Sequence, residues 1–189
     1  MRDILLASAS PRRRELLAGL GLNVQTHATN IDESVGEGED AEALVARLAA
    51  SKAAVVGARQ SGSLVIAADT VVVLDGEILN KPADAEQNRA FITRLAGRTH
   101  DVFTGHALRL AARSEDVVVR TLVTFRQLEA DEIEGYVLSG EGLDKAGGYA
   151  IQGRGAALVA RLDGCYSNVV GLSLPAVVES ARRLGVRLV

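Results

Sequence analysis

A single cysteine, Cys165, stands in 189 residues, so neither an internal disulfide framework nor a multi-thiolate metal site can be built. Tryptophan is absent, and three Phe and three Tyr leave few platforms for stacking single-stranded bases. Positive excess is missing as well. With 21 Lys and Arg against 24 Asp and Glu, the formal charge is −3, which supplies no polybasic field for long nucleic acids. No uninterrupted apolar run approaches the roughly 20 residues of a membrane span. The opening MRDILLASASPRRR sets its basic cluster after the apolar stretch, the reverse of a secretory leader. Neither a Walker-type phosphate loop nor a Gly-x-Gly-x-x-Gly after the first strand occurs, and no repeat, low-complexity tract or linker interrupts the chain. What is present is 48% hydrophobic residues at small net charge, which excludes disorder. Length and composition predict a soluble, intracellular α/β unit, or two lobes around a shared core.

Apolar spacing supplies the elements. Ile4–Ala7 reads as a short buried strand. A turn over Ser8–Pro11 leads into a helix capped by Ser10, started by Pro11 and stopped at Gly21. Residues 23–29 read as a second strand and Asn30–Asp40 as an acidic loop. Leu44, Val45, Leu48, Val55 and Val56 predict a helix from Ala41 to about Arg59. Leu64–Leu74 is the most strand-like run, and Asp75-Gly76 signals a hairpin into Glu77–Leu79. A helix over Ala85–Leu95 ends at Gly97. The runs His100–Ala112 and Val117–Phe125 read as an antiparallel pair joined by the polar stretch Arg113–Asp116. A helix over Asp131–Leu138, a Gly-rich stretch Gly140–Gly155, a strand Ala156–Leu162 and a helix Pro175–Leu184 complete the chain. Such a mixture predicts an α/β fold with a mixed sheet.

Chemistry concentrates in a few places. Arg12, Arg13 and Arg14 occupy the first turn of a helix, where the macrodipole already disfavours cations by a few tenths of a kcal/mol up to about 1 each. An anion would offset that cost. Backbone N–H groups, Ser8, Ser10 and planar guanidiniums together suit phosphate, whereas the plain alternative is arginines extended into water. Asp69 sits mid-strand among apolar residues, where a lone carboxylate costs several kcal/mol. A divalent cation, a water poised for attack or a structural hydrogen bond would each compensate for it. Lys52 shares the row Leu44–Leu48–Lys52–Val56 and either snorkels past the core or reaches an anion at its rim. Lys81 follows the Asp75-Gly76 hairpin, near the Asp69 strand, and alone reads as a loop lysine. Asp32 and Glu33 offer a second carboxylate for a hard cation such as Mg²⁺, or simply a solvated loop. Gln152, in a Gly-rich segment, carries a donor beside an acceptor. That pair matches the N3–H and O4 edge of uracil or thymine, while the donor-only N1–H and N2–H₂ edge of guanine suits a carboxylate better. His100 and His106 lie six apart in one strand, outside helical metal spacing, and read as core or surface residues.

These segments resemble the Maf family of nucleoside triphosphate pyrophosphatases. The resemblance runs in order through Ala7-Ser8-Ala9-Ser10-Pro11-Arg12-Arg13, Ala67-Ala68-Asp69-Thr70-Val71, Lys81-Pro82, Gly97-Arg98-Thr99-His100, Thr104-Gly105, Asp144-Lys145-Ala146-Gly147, Ile151-Gln152-Gly153 and Tyr166-Ser167-Asn168-Val169-Val170-Gly171-Leu172. It treats residues 1–189 as one domain. It implies a two-lobed α/β fold shared with inosine-triphosphate pyrophosphatases, with a central nucleotide cleft, and a cytoplasmic homodimer. The implied reaction is metal-dependent hydrolysis between the α and β phosphates, with Mg²⁺ or Mn²⁺. Arg12, Arg13, Lys52 and Lys81 would neutralise the triphosphate, and Ser8 and Ser10 would position its oxygens. Asp69 matches the residue assigned as proton acceptor, and Glu33 shares the metal. A carboxylate bound tightly to metal is a poor base, so the two roles for Asp69 compete. Arg12, Thr70 and Gln152 match positions associated with substrate choice, and Tyr149-Ala150-Ile151-Gln152-Gly153 is similar to the branch acting on dTTP and UTP. The branch preferring 7-methyl-GTP carries glutamate at the position of Gln152. A nucleotide-binding regulator of septum formation is the alternative from outside the enzyme class. Arg14, Cys165 and Ser173 depart from residues common in the family.

Overall fold

Strands apolar on both faces organise the first part of the chain. In the computed structural model, which describes residues 3–60 and 62–189, the elements follow in this order. The first half runs β1 (Ile4–Leu6), α1 (Pro11–Gly19), β2 (Val24–Thr26), α2 (Ala41–Gly57), β3 (Leu64–Leu74), β4 (Glu77–Leu79) and α3 (Ala85–Leu95). The second half runs β5 (Thr99–Leu110), β6 (Arg113–Phe125), α4 (Ala130–Leu138), β7 (Val159–Asp163), α5 (Tyr166–Val170) and α6 (Leu174–Arg183). Among the described residues the strands form one seven-stranded sheet in the order β2-β1-β3-β5-β6-β7, with β4 on β3. The sheet is mixed, as the sequence predicts. β1 runs parallel to β2 and β3, while β4 on β3 and β7 on β6 are antiparallel. No helix among the described residues is long and apolar enough to cross a membrane. Met1 and Arg2 of the opening segment, read above as the reverse of a secretory leader, lie outside the described residues.

The chain divides into two compact units. The first comprises Met1–Asp69, Thr104–Val119 and Gly171–Val189; the second comprises Thr70–Phe103 and Arg120–Val170. In the first unit Leu6, Leu64, Ile66 and Ala68 pack with Leu17 of α1, Val177 and Ala181 of α6, and Leu184 just beyond it. The alternate residues Leu5, Ala7, Val65 and Ala67 pack instead with Ala49, Ala53 and Val56 of α2. Both faces are covered, which is why Leu64–Ala68 reads as an unbroken apolar run. Gly105 on β5 lets α2 approach closely: a Cβ there would lie 2.2 Å from the Val45 carbonyl oxygen. In the second unit His100, Phe125 and Tyr149 pack edge to face, with ring centroids 4.7–5.3 Å apart. Asn88 on α3 donates to the Gly148 carbonyl at 2.7 Å.

Caps follow the sequence signals. Ser10, Asp40 and Asp84 each accept a backbone N–H three residues on, and Glu129 with Glu132 completes a capping box at α4. Asp75 and Gly76 both take positive φ, 53° and 81°, as a type I′ hairpin demands. The structure corrects the reading of two segments and adds a helix. Arg113–Asp116 is the start of β6 rather than a loop. This exposed arm keeps its charges in solvent, with Glu115 and Asp116 paired to Arg183 and Arg109, and a two-residue link closes the β5–β6 hairpin. Residues 156–158 belong to a 3₁₀ turn, Gly153–Leu158, because Glu141 accepts the N–H groups of Arg154 and Gly155 and bends the backbone there. Helix α5 is missed by sequence, since five residues carry no periodicity to read.

Candidate functional site

Two periodicities bring the central pair together. Along β3, Val65 and Ala67 face α2, and Asp69, two residues further, continues that parity. On α2, Lys52 is buried together with Ala49, Ala53 and Val56, so it faces the same sheet surface. Lys52 Nζ lies 2.5 Å from Asp69 Oδ1 and 2.6 Å from Glu33 Oε1, the latter from the loop before α2. The side chains of Lys52 and Asp69 are 9% and 13% exposed and that of Glu33 is 53% exposed. Lys52 therefore does not snorkel. It forms a largely desolvated pair with Asp69, joined from the solvent side by Glu33. Taking these ions out of water costs several kcal/mol each, so the pairing is obligatory.

Arg13 completes the corner. Its Nε donates to the Gly171 carbonyl at 2.7 Å and its Nη1 to Ser8 Oγ at 3.2 Å. Ser8 Oγ also accepts the Ser10 N–H at 3.1 Å, so both serines and Arg13 share one network at the start of α1. Burial lowers the Arg13 pKa, and the fields of Asp69 and Glu33 oppose that only in part. The guanidinium stays charged and contributes a second cation near the carboxylates. Arg12, by contrast, is half-buried and makes no side-chain hydrogen bond or ion pair among the described residues. Sequence reasoning groups Arg12 and Arg13 as equivalents; the structure separates an anchored arginine from an unanchored one.

His106, read from sequence as core or surface, is a buried core residue with a second consequence. Its Nε2 accepts the Ser173 N–H at 2.8 Å, and its Nδ1 lies 3.4 Å from the Val117 carbonyl. Burial lowers its pKa to about 4, so the ring is neutral with the proton on Nδ1. The segment it fixes, Gly171–Ser173, is the one that holds Arg13 Nε. Nothing in the spacing of the sequence signals that link.

The other candidates belong to the second unit. Thr70 follows Asp69 on β3 and is half-buried. Lys81 is exposed, beyond β4, without an ion-pair partner among the described residues. Gln152 is half-buried just ahead of the 3₁₀ turn, and its side chain makes no hydrogen bond among the described residues. Three positions earlier, Tyr149 Oη hydrogen-bonds His100 Nε2 at 2.7 Å. Burial pushes the phenol well above its ordinary range and lowers His100 to about 4, so both rings are neutral.

The residues fit a hard divalent cation. Glu33 and Asp69 bring two carboxylates together at Lys52 Nζ, and Mg²⁺ takes one or two carboxylates with the rest from phosphate and water, so such an ion would share these carboxylates with the lysine. Among the described residues no cluster of three or more His, Cys, Asp or Glu could form an all-protein cage, so substrate oxygens would have to complete the shell.

Comparison with known proteins bears on this arrangement. A Myxococcus xanthus protein named dTTP/UTP pyrophosphatase is 56% identical over 186 residues, covering 98% of this chain and 94% of that protein. A dTTP/UTP pyrophosphatase of Moorella thermoacetica is 50% identical over 188 residues, covering 98% and 97%. Among solved structures, a HAM1 protein from Coxiella burnetii is similar at a TM-score of 0.49 and 14% identity over 66% of this chain and 73% of that one, too remote to bear on activity. The sequence pattern of the Maf-like proteins matches residues 3–184, nearly the whole chain. With that match and relatives at half identity or more over nearly full length, the chain belongs to the Maf family.

Proposed function

We propose that this protein is a nucleoside triphosphate pyrophosphatase that hydrolyses dTTP and UTP between the α and β phosphates, releasing the monophosphate and pyrophosphate. The observation that carries the reading is the largely desolvated Lys52–Asp69 pair, with Glu33 at its solvent side and Arg13 nearby, in a chain whose relatives are named for that activity. Asp69 Oδ1 is committed to Lys52, whereas Oδ2 has no hydrogen bond among the described residues. That oxygen would orient the attacking water and accept its proton as a P–O bond of the α–β bridge breaks. Lys52, Lys81, Arg12 and Arg13 would offset the charge of the triphosphate, with Ser8 and Ser10 directing its oxygens. Glu33 would hold Mg²⁺ or Mn²⁺, joined by Asp69 where Asp69 acts as ligand instead of base, and the ion when bound polarises phosphoryl oxygens. In the second unit Gln152 would read the base through its donor–acceptor pair, and Thr70 would contribute to substrate choice. Residues 1–189 would serve as one functional domain. A cytoplasmic location, a homodimer and a link to division arrest belong to the same reading and rest on family resemblance alone.

Incubating the protein with UTP and Mg²⁺ tests the assignment. Equal amounts of UMP and pyrophosphate are expected; UDP and inorganic phosphate as the products would overturn it.

A further inference from the structure

We infer that Glu141 is a specificity-positioning residue: it holds the backbone behind Gln152 so that the Gln152 amide is left to a pyrimidine base. The inference rests on the base-reading role proposed for Gln152. Gln152 occupies the N-cap position of the 3₁₀ turn Gly153–Leu158, where a polar side chain ordinarily folds back to accept a free N–H. Its side chain does not do so. The turn's first N–H groups go to Glu141 instead. Oε2 accepts from Arg154 N at 3.0 Å and Oε1 from Gly155 N at 2.9 Å. One carboxylate thus caps the turn from another part of the chain, with both oxygens engaged.

Two further contacts show how tightly the seat is built. Gly153 has φ +63°, and a Cβ there would lie 2.5 Å from Glu141 Oε2, so the carboxylate packs against bare backbone. On the other side of Gln152, Ala150 N donates to Tyr136 Oη at 3.2 Å and Tyr149 Oη meets His100 Nε2. Gln152 is therefore flanked by fixed backbone at 149–150 and at 154–155, while its own amide takes no part. Replacing the Glu141 carboxylate with an amide sets an NH₂ against one of the two N–H groups. A displaced turn would then bring the Gln152 side chain within reach of a donor that competes with the base.

The test compares wild type, Glu141→Gln, Glu141→Asp and Gln152→Ala on UTP and CTP, with thermal melting to confirm folding. CTP presents an amino group where UTP presents O4, so the ratio of kcat/KM values reads base discrimination directly. Glu141→Gln is expected to raise KM for UTP about tenfold with kcat within about twofold, and to lower the UTP-over-CTP ratio about tenfold. Glu141→Asp, which keeps both acceptor oxygens, is expected to recover part of that ratio. A folded Glu141→Gln variant with unchanged ratio, or one losing kcat equally on both substrates, would overturn the inference. If Gln152→Ala also leaves the ratio unchanged, the base-reading role itself fails. If Gln152→Ala lowers the ratio and Glu141→Gln does not, only the positioning role fails.

Discussion

In the first unit the charged groups gathered around Asp69 are Lys52 and the anchored Arg13, with Glu33 at the solvent side and the neutral Ser8 buried against Arg13. In the second unit the buried polar groups are neutral. His100 meets Tyr149, Asn88 meets the Gly148 carbonyl, and Asn168 donates to Val102 O and Thr121 Oγ1. Desolvated ions cost several kcal/mol apiece, whereas a buried neutral group left unpaired costs about 1–3. The first arrangement generates a strong local field and suits charge that develops during reaction. The second generates little field but fixes backbone and amides in place, which suits discrimination between neutral base edges. The formal charge of −3 conceals this division, because the cations that matter are held locally against carboxylates.

Asp69→Asn strikes the charged region hardest. Its shape is kept while the proposed proton acceptor is lost, so pyrophosphate release should fall about 10³- to 10⁴-fold, roughly 4–5.5 kcal/mol in barrier. Calorimetric titration should still register UTP binding. A rate within tenfold of wild type would remove Asp69 from the chemistry.

Next comes the asymmetry inside the cluster. Lys52→Met leaves the Asp69 carboxylate without its nearest cation and should lower stability in urea by about 4 kcal/mol. Glu33→Gln removes a half-exposed partner and should cost less than about 1 kcal/mol. Equal losses would mean that the cluster is far better hydrated than its burial indicates.

Acid should affect the two units alike, because each holds one histidine kept neutral by burial, His106 in the first and His100 in the second. His100 and His106 have folded pKa values of about 4 against 6.5 unfolded, both through burial. Between those values the unfolded chain binds more protons, so stability is fully present above about pH 6.5 and declines as pH falls toward 4. Each histidine contributes on the order of 3 kcal/mol across that window. Chemical denaturation at stepped pH should show the decline, and His100→Gln should flatten it by about half. A slope unchanged by that substitution would exclude His100 as a source.

The sequence carries more of the fold and of the candidate site than a reading one residue at a time extracts. Elements β3, β4 and α3 have the boundaries that apolar spacing and turn residues predict, because each is bounded by a strong local signal. Lys52 and Asp69 each stand out alone. Their pairing follows from adding the helical stripe to the strand parity, a step that needs α2 known to cover that face. The anchoring of Arg13 to Gly171, 158 residues away, has no local trace. Glu141 escapes notice for a related reason: its partners are backbone N–H groups, which any sequence would supply.

Gln152→Glu produces the smallest expected change and draws the comparison most sharply. A carboxylate accepts from N3–H but has no N–H for O4, and it sets negative charge against that oxygen. KM for dTTP and UTP should rise about tenfold, near 1.4 kcal/mol, with kcat little changed. Turnover of 7-methyl-GTP relative to UTP should increase, since guanine presents donors at N1 and N2. Folding should be unaffected, because the Gln152 side chain makes no hydrogen bond among the described residues. Asp69→Asn alters the rate and leaves binding, whereas Gln152→Glu alters binding and leaves the rate. If steady-state kinetics on the three nucleotides showed both substitutions acting on kcat, field and discrimination would not be divided between the two units, and the contrast between buried ions and buried neutral groups would be one of stability alone.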